Sequence, residues 1–426
     1  MKTDYGKRSE NKMKKTGIKF LIFLCLSLFF TGCTKKQEET VEITMIHGWG
    51  STESDHVAMR QIYEDFEKEH PGIHLNLISM PSSTDVINKM GDLLTVGEIP
   101  DIVFTGGDGR ESVYRFMVQK GYAVDLIPYM EADEEFAGNV SEVIMESWMT
   151  KEGQLYTVSD VLLMGGYWYN RDLFEKAGIT KVPGTWEEWF AACEKLKAMD
   201  ENVVPVILDA NHIAYLMTAL LANEDIFELE NIKNSRINVN TPAFDKMLKQ
   251  LEEISKYAVL AGNYNYRDTL ASFNGEESAI YINGVWANSM IEETLEVAYA
   301  PFPSDDGKGI ATRSACVGYI LGNTGDEKRI EASVEFLKYM LSEEVGQRIL
   351  EQTGQLPSNP NIAITEESAG FRMAQAVECV KKAGLTIETP ENLWDLSKKE
   401  EYGENVILYL QKRITEKEFR KRLSWM

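Results

Sequence analysis

The sequence predicts an α/β protein of two lobes, each with helices packed on a doubly wound parallel sheet. Two observations predict this class. Strand-like and helix-like segments alternate along residues 41–104, and the 426-residue chain exceeds what one hydrophobic core usually organises. The sequence shows no internal repeat and no long linker rich in Gly, Ser or Pro, so ordinary chain must join the two lobes.

The first elements follow from the spacing of apolar residues. Val41–Ile46 alternates apolar and polar residues, which predicts a strand. Residues 55–69 place apolar side chains four apart, which predicts a helix that ends at His70-Pro71-Gly72. The same two periods predict a strand over 73–77, a helix from Thr84 and a strand over 100–104.

Strands that alternate with helices form a parallel sheet, and ligands of such sheets bind outside the carboxyl ends of the strands. Two loops follow predicted strands at these ends. They are His47-Gly48-Trp49-Gly50 and Gly106-Gly107-Asp108. The sequence therefore predicts that both loops lie at a binding edge.

The N-terminal segment predicts where the protein works. The apolar run Phe20–Phe30 is shorter than the ~20 residues that a membrane span needs, and a lysine-rich segment precedes it, as in a secretory signal. The run ends in Thr31-Gly32-Cys33, which resembles a bacterial lipobox, although Phe30 stands where Leu is usual. Translation from Met13 in place of Met1 would leave a more ordinary signal.

The lipobox resemblance implies a membrane anchor. Residues 1–32 would be a signal peptide, Cys33 would become the diacylated N-terminus, with palmitate among its acyl chains, and residues 33–40 would form a polar tether. The alternative is a plain signal peptide with an incidental cysteine.

Charge and cysteine content exclude several classes of protein. The formal net charge is −23, and residues 1–32 hold seven Lys and Arg against two Asp and Glu, so a chain that begins at Cys33 carries −28. So acidic a chain is repelled by nucleic acid, and we expect no nucleic-acid partner. Cys193, Cys316 and Cys379 form no Cys-x-x-Cys motif, and we interpret them as small core residues.

Six stretches between residues 41 and 426 together carry a resemblance to a known family, in their residues, their order and their spacing. They are Ile43–Trp49, Pro100–Val103, Gly166–Gly178, Thr185–Glu188, Phe273–Trp286 and Ala332–Met340. Together they resemble extracellular solute-binding protein family 1, the maltose-binding-like receptors of sugar ABC importers.

The resemblance implies a periplasmic-binding-protein-like fold, in which two lobes enclose a ligand cleft and the chain crosses between them three times. The crossings are expected near Tyr156–Leu162, near Ser314–Ile320 and after Leu356-Pro357. The N-terminal lobe would comprise 41–158 and 317–360, and the C-terminal lobe 159–316 and 361–426. A ligand that touches both lobes stabilises the closed state.

The resemblance further implies an extracytoplasmic monomer that needs no cofactor. It would capture a small carbohydrate and deliver it to the permease subunits of an ABC importer. The acidic charge and the Trp-rich candidates favour a neutral mono- or oligosaccharide over a phosphate ester. A secreted glycoside hydrolase and a ligand receptor for a sensor kinase are the alternatives.

A sugar cleft needs aromatic platforms for apolar C–H faces and planar polar partners for hydroxyl groups. Trp49, in its Gly-flanked loop, is one predicted platform. Trp286 is the other, because it matches the position where the family places a sugar-stacking aromatic. Asp108, flanked by glycines at the next strand end, is the predicted hydroxyl acceptor.

Three more residues are predicted to bind the ligand. Asp160 lies within the first crossing, where it contacts ligand or forms a hinge hydrogen bond. Trp168 and Tyr169 point to opposite faces of one strand, and we assign Tyr169 to the cleft. Arg313 precedes the second crossing and binds vicinal hydroxyls, or else pairs with Asp305-Asp306.

Other aromatic residues carry no site prediction. Thr185 and Glu188 form a capping box, and the apolar residues after them recur at helical spacing, which places Trp186 in the core. Trp394 and Trp425 receive no assignment.

The sequence has no Gly-x-Ser-x-Gly elbow, no phosphate-binding loop and no His-Glu-x-x-His helix, so it predicts no catalytic residue and no metal ligand. Four of the five histidines lie in the first sheet unit, and we interpret them as surface or turn residues.

Overall fold

The computed structural model describes residues 40–107, 110–200, 202–233, 237–261, 266–394 and 396–424. Val41–Met426 form one compact unit by their contacts. Within the described ranges, no helix combines the length and the apolar character that a membrane crossing requires.

The first lobe contains a four-stranded sheet in the order β10-β3-β1-β2. Its strands are β1 (Val41–His47), β2 (Ile73–Ser79), β3 (Ile102–Gly107) and β10 (Val317–Leu321). The first three run parallel, and β10 pairs antiparallel with β3. The strands predicted at 41–46, 73–77 and 100–104 are confirmed, and β10 reaches this sheet from more than 200 residues away.

The second lobe contains a seven-stranded sheet in the order β11-β9-β4-β7-β5-β6, with β8 paired to β4. Its strands are β4 (Leu162–Asn170), β5 (Val204–Asp209), β6 (Ala258–Ala261), β7 (Ser278–Gly284), β8 (Val297–Ala300), β9 (Ile310–Ala315) and β11 (Leu385–Ile387). β4 runs antiparallel to β7, β8 and β9, so this sheet is mixed around one reversed strand. The other strands of the sheet share one direction.

Helices cover both sheets. Those that precede β4 are α1 (Ser54–Glu69), α2 (Ser83–Val96), α3 (Arg115–Lys120), α4 (Ile127–Glu131), α5 (Glu134–Asn139) and α6 (Glu142–Trp148). Those between β4 and β9 are α7 (Arg171–Lys176), α8 (Trp186–Met199), α9 (Ile213–Glu224), α10 (Glu228–Lys233), α11 (Pro242–Ser255) and α12 (Tyr266–Asn274). The last are α13 (Glu327–Met340), α14 (Glu343–Thr353), α15 (Glu366–Lys382), α16 (Pro390–Leu393), α17 (Leu396–Leu410) and α18 (Glu416–Leu423).

Each lobe buries a hydrophobic core of its own. One core joins the four-stranded sheet to α1, α2, α13 and α14, and the seven-stranded sheet carries two more, one on each face. Trp186 and Cys193 on α8 lie in the larger of these two, so their predicted core placement is confirmed. The capping box of Thr185 and Glu188 begins that helix, also as predicted.

The chain passes between the two sheets three times. The passages lie between α6 and β4, between β9 and β10, and between α14 and α15. The first two are joined where Val158 and Tyr319 exchange backbone hydrogen bonds, and the third joins the first where the Ser358 amide donates to the Asp160 carbonyl at 2.8 Å. The three passages therefore lie side by side and form a hinge.

Candidate functional site

The carboxyl ends of the parallel strands face each other across a cleft between the lobes. Glu53, which follows β1, forms an ion pair with Arg267 at the start of α12, directly after β6. Arg110 follows β3 and reaches Glu388, which follows β11. Both strand edges therefore line one cleft, as expected for ligand sites in α/β sheets.

The loop after β1 holds Trp49 at the cleft edge in the first lobe. Its half-buried ring stacks on Phe104 with ring centres 5.5 Å apart and meets the His56 ring edge-on at 4.9 Å. The guanidinium of Arg60 donates to the backbone carbonyls of Trp49 and Ser51. These contacts hold the loop against α1 and pack the Trp49 ring on the core of the first lobe.

His47 is buried beneath this loop and is a residue that the sequence interpretation misplaced. Its Nδ1 accepts a hydrogen bond from the Trp49 amide at 3.1 Å, so the proton of the neutral ring lies on Nε2, which is 3.0 Å from Ser79 Oγ. Burial, with smaller contributions from Arg60 and His56, lowers the pKa of His47 to about 4. His47 is the last residue of β1 and shares a face of the strand with the buried Ile43 and Met45, so the alternation along β1 could have indicated its burial.

The second lobe presents Trp286 in the 3₁₀ turn after β7, on a floor made by two glycines. Gly165 and Gly284 are paired neighbours on β4 and β7. A Cβ atom on Gly284 would lie 2.0 Å from the Trp286 ring, and one on Gly165 would lie 2.5 Å from the ring of Tyr215. Only glycine admits both rings, whose centres are 5.7 Å apart.

A buried Asp–His pair, which the sequence interpretation did not single out, lies beside this floor at the carboxyl end of β5. Asp209 accepts hydrogen bonds from the His212 amide at 2.8 Å, from its ring Nδ1 at 3.0 Å and from the Thr269 hydroxyl at 2.8 Å. Burial acts to raise the pKa of Asp209, but the His212 ring and these hydrogen bonds outweigh it and hold the pKa below its usual value. The sequence signal for this pair is an Asp that ends a buried strand and stands three residues before a His.

Asp160 lies in the hinge, where it is 3% exposed. Its Oδ2 accepts a hydrogen bond from the Tyr319 hydroxyl at 2.7 Å, and the Tyr63 hydroxyl lies 3.0 Å from that of Tyr319. Burial raises the pKa of Asp160 to about 6. The structure therefore shows the hinge hydrogen bond that was one of the two roles expected, and the ligand contact stays a prediction.

Arg313 and Tyr169 are not brought to the two tryptophans. The Arg313 guanidinium lies 3.4 Å from Glu146 on α6, and Asp306 pairs with Lys308 instead. Tyr169 sits at the far end of β4, because this strand runs away from the cleft, and its ring packs on Phe174. Side-chain alternation indicated the face of the sheet but not the direction of the strand.

Two predicted residues, Asp108 and Cys33, lie outside the described residues, as does Trp425. Trp394 is buried in the core of the second lobe, against Tyr402. In the described part of the chain, one group of side chains is spaced for a metal ion: ligand atoms of Glu53, Asp55 and His56 lie within 4.8 Å of one another. Glu53 already accepts a hydrogen bond from Arg267, so we interpret this group as part of the charged cleft rim.

The fold and the cleft define a two-lobed receptor for a small solute. Residues 49–347 match the family model of the bacterial extracellular solute-binding proteins, and the chain belongs to this family. It is 23% identical over 365 residues to the multiple sugar-binding protein of Streptococcus mutans, an alignment that covers 80% of this chain and 81% of that protein.

Solved structures show the same fold. A Streptococcus pneumoniae solute-binding protein in complex with the blood group A-trisaccharide is 24% identical and superimposes with a TM-score of 0.73, over 90% of this chain and all of the other. A chitin oligosaccharide binding protein is 20% identical with a TM-score of 0.76, over 91% of this chain and 98% of the other. These likenesses confirm the predicted two-lobed fold.

Proposed function

We propose that the protein captures a neutral mono- or oligosaccharide between its lobes and delivers it to the permease subunits of an ABC importer. The observation that carries this proposal is that Trp49 and Trp286 follow the carboxyl ends of β1 and β7, one in each lobe. Aromatic faces suit the apolar C–H faces of sugar rings. The sugar-binding names of the relatives support the same ligand class.

The charges at the cleft favour a neutral ligand. Arg110, Arg267 and Arg313 each lie within ion-pair distance of a carboxylate in the opposite lobe. Binding an anion would require these arginines to leave their carboxylates, whereas a sugar hydroxyl can be accommodated beside them. The net charge of −23 also disfavours anions over neutral solutes.

The protein acts as a receptor and not as an enzyme in this proposal, since its family consists of solute-binding proteins. We assign residues 41–158 with 317–360 to one moving body, and residues 159–316 with 361–426 to the other. Asp108, Asp160, Tyr169 and Arg313 remain predicted ligand residues in this proposal.

A lipid anchor on Cys33 completes the proposal and would hold a monomeric receptor on the outer face of the cell membrane. A Cys33→Ser variant in the host should be released into the medium or stay unprocessed. The matched control is Cys193→Ser, which leaves the lipobox intact and should stay in the membrane fraction. Wild-type protein that lacks an acyl mass at Cys33 would contradict the anchor.

A thermal-shift screen of residues 34–426 tests the ligand class. Raffinose, maltotriose, chitin oligosaccharides, sugar phosphates and dipeptides form the panel. A sugar at 100 times its dissociation constant stabilises the folded state by ~2.7 kcal/mol, which raises the melting temperature measurably. A response to sugar phosphates or dipeptides without any response to neutral sugars would overturn the proposal.

A further inference from the structure

Among the residues that the structure describes, three ion pairs connect the two lobes, and in each pair the carboxylate and the guanidinium come from opposite lobes. Glu53 pairs with Arg267 at 2.5 Å, Arg110 with Glu388 at 4.0 Å, and Glu146 with Arg313 at 3.4 Å. Each lobe carries both signs of charge: the first lobe supplies two carboxylates and one arginine, and the second lobe supplies two arginines and one carboxylate.

The pairs lie toward both ends of the cleft. Arg267 follows β6, which is one edge strand of the seven-stranded sheet, and Glu388 follows β11, which is the other. Arg313 lies on β9, next to β11. Opposite charges from the two lobes therefore meet at both ends of the cleft.

The surroundings of the pairs differ. The Arg110 guanidinium lies over the Trp148 ring at 5.3 Å, and the side chains of Arg110 and Glu388 are only 15% and 13% exposed. Glu53 and Arg267 are 47% and 66% exposed, and Glu146 is 56% exposed. Salt screens exposed charges far more than shielded ones. This screening grows with salt concentration, because the Debye length shrinks from ~30 Å at 0.01 M to ~3 Å at 1 M.

We propose that these three ion pairs form an electrostatic latch, which sets the balance between open and closed lobes even without a bound solute. In this proposal each pair stabilises the closed state alone, so its free energy raises the closed population. An exposed pair changes the ratio of closed to open protein by about 1.4- to fivefold, the usual range for a surface ion pair. As a consequence, affinity for an uncharged sugar should fall as salt rises.

That consequence for sugar affinity rests on the proposed function, whereas the latch itself does not. The test is therefore made on residues 34–426 without any sugar, by small-angle scattering at about 0.02 M and about 0.5 M sodium chloride. The wild type should show a larger radius of gyration at the higher salt concentration, because screening weakens the latch.

The decisive variant is Glu53→Gln with Glu146→Gln, which removes two exposed carboxylates from the first lobe. It should have the larger radius at both salt concentrations and respond less to salt. The control is Glu253→Gln with Glu378→Gln, which makes the same change in net charge. These two carboxylates pair with Lys256 and Lys382, three and four residues away in the sequence, so neither pair joins the two lobes. The control should behave as the wild type does.

A charge exchange separates the latch from a general loss of acidity. Glu53→Arg alone should open the lobes, and Glu53→Arg combined with Arg267→Glu should restore the wild-type radius at low salt. An identical salt response in the wild type, the decisive variant and the control would overturn the latch. A failed sugar screen would leave these scattering results, and the conclusion drawn from them about the latch, unchanged.

Discussion

The Tyr319 hydroxyl donates a hydrogen bond to the Asp160 carboxylate at 2.7 Å, and this bond ties the first passage between the lobes to the second. The Ser358 amide donates to the Asp160 carbonyl, so the third passage is tied to the same residue. Asp160 therefore contacts both neighbouring passages in the hinge. A buried carboxylate in this position makes the stability of the hinge depend on pH.

The first prediction concerns that dependence. Burial raises the pKa of Asp160 to about 6 from 3.8, so its contribution to stability is complete below pH 3.8 and is lost as pH rises through about 6. Asp160→Asn removes this titration. Relative to the variant, the wild type should lose about 2 kcal/mol of unfolding free energy between about pH 4 and about pH 7.5. Urea titrations at both pH values measure this difference, and a constant difference would contradict it.

His47 should show the opposite sign. Its pKa is lowered from 6.5 to about 4, so its stabilising contribution is present above pH 6.5 and is lost as pH falls through about 4. Relative to His47→Gln, the wild type should lose about 2 kcal/mol between about pH 7.5 and about pH 4.5. A His47→Gln profile parallel to the wild type would contradict the buried neutral ring.

Trp286→Ala should weaken binding of whichever sugar the screen identifies by at least ~1 kcal/mol, the lower limit for a buried aromatic anchor. Its half-buried position at the cleft edge predicts a smaller change in stability than a core tryptophan would cause. Trp186→Ala is the matched comparison and should cost ~3–5 kcal/mol of stability, because it removes a core side chain, without a selective loss of affinity. Titration calorimetry and thermal unfolding separate the two effects. Wild-type affinity in Trp286→Ala would remove this residue from the site.

Gly284→Ala tests the floor under that ring. A methyl group there would lie 2.0 Å from the Trp286 ring, so the ring must move and sugar affinity should fall roughly tenfold, about the effect of losing one interface anchor. Gly91→Ala in α2 is the control, since a Cβ there meets no atom within 4 Å, and it should keep full affinity. Equal affinities in the two variants would show that Trp286 does not need its present position.

Local patterns carried much of the fold prediction. The first strands and helices and the Trp186 core helix follow from periods of two or 3.6 residues and from end residues. Chain length predicted two lobes. The three crossings between them came from the family resemblance, because the pairing of β10 with β3 joins residues that no local pattern relates.

Charged and polar partners far apart in sequence were not predictable in this way. Asp101 is buried and accepts a hydrogen bond from Arg329, 228 residues later. Arg267 donates a hydrogen bond to Glu53, which is 214 residues away in the sequence. Tyr169 illustrates the same limit, since alternation assigns a face to a side chain but does not say which end of the strand meets the cleft.

Closure of the lobes on a neutral sugar is tested most directly by small-angle scattering of residues 34–426 with and without a saturating sugar from the screen, at about 0.15 M salt. A receptor whose lobes close on its solute should show a smaller radius of gyration in the sugar-bound state, because sugar held between Trp49 and Trp286 stabilises the closed form. A sugar that binds tightly and leaves the radius of gyration unchanged would contradict this mechanism.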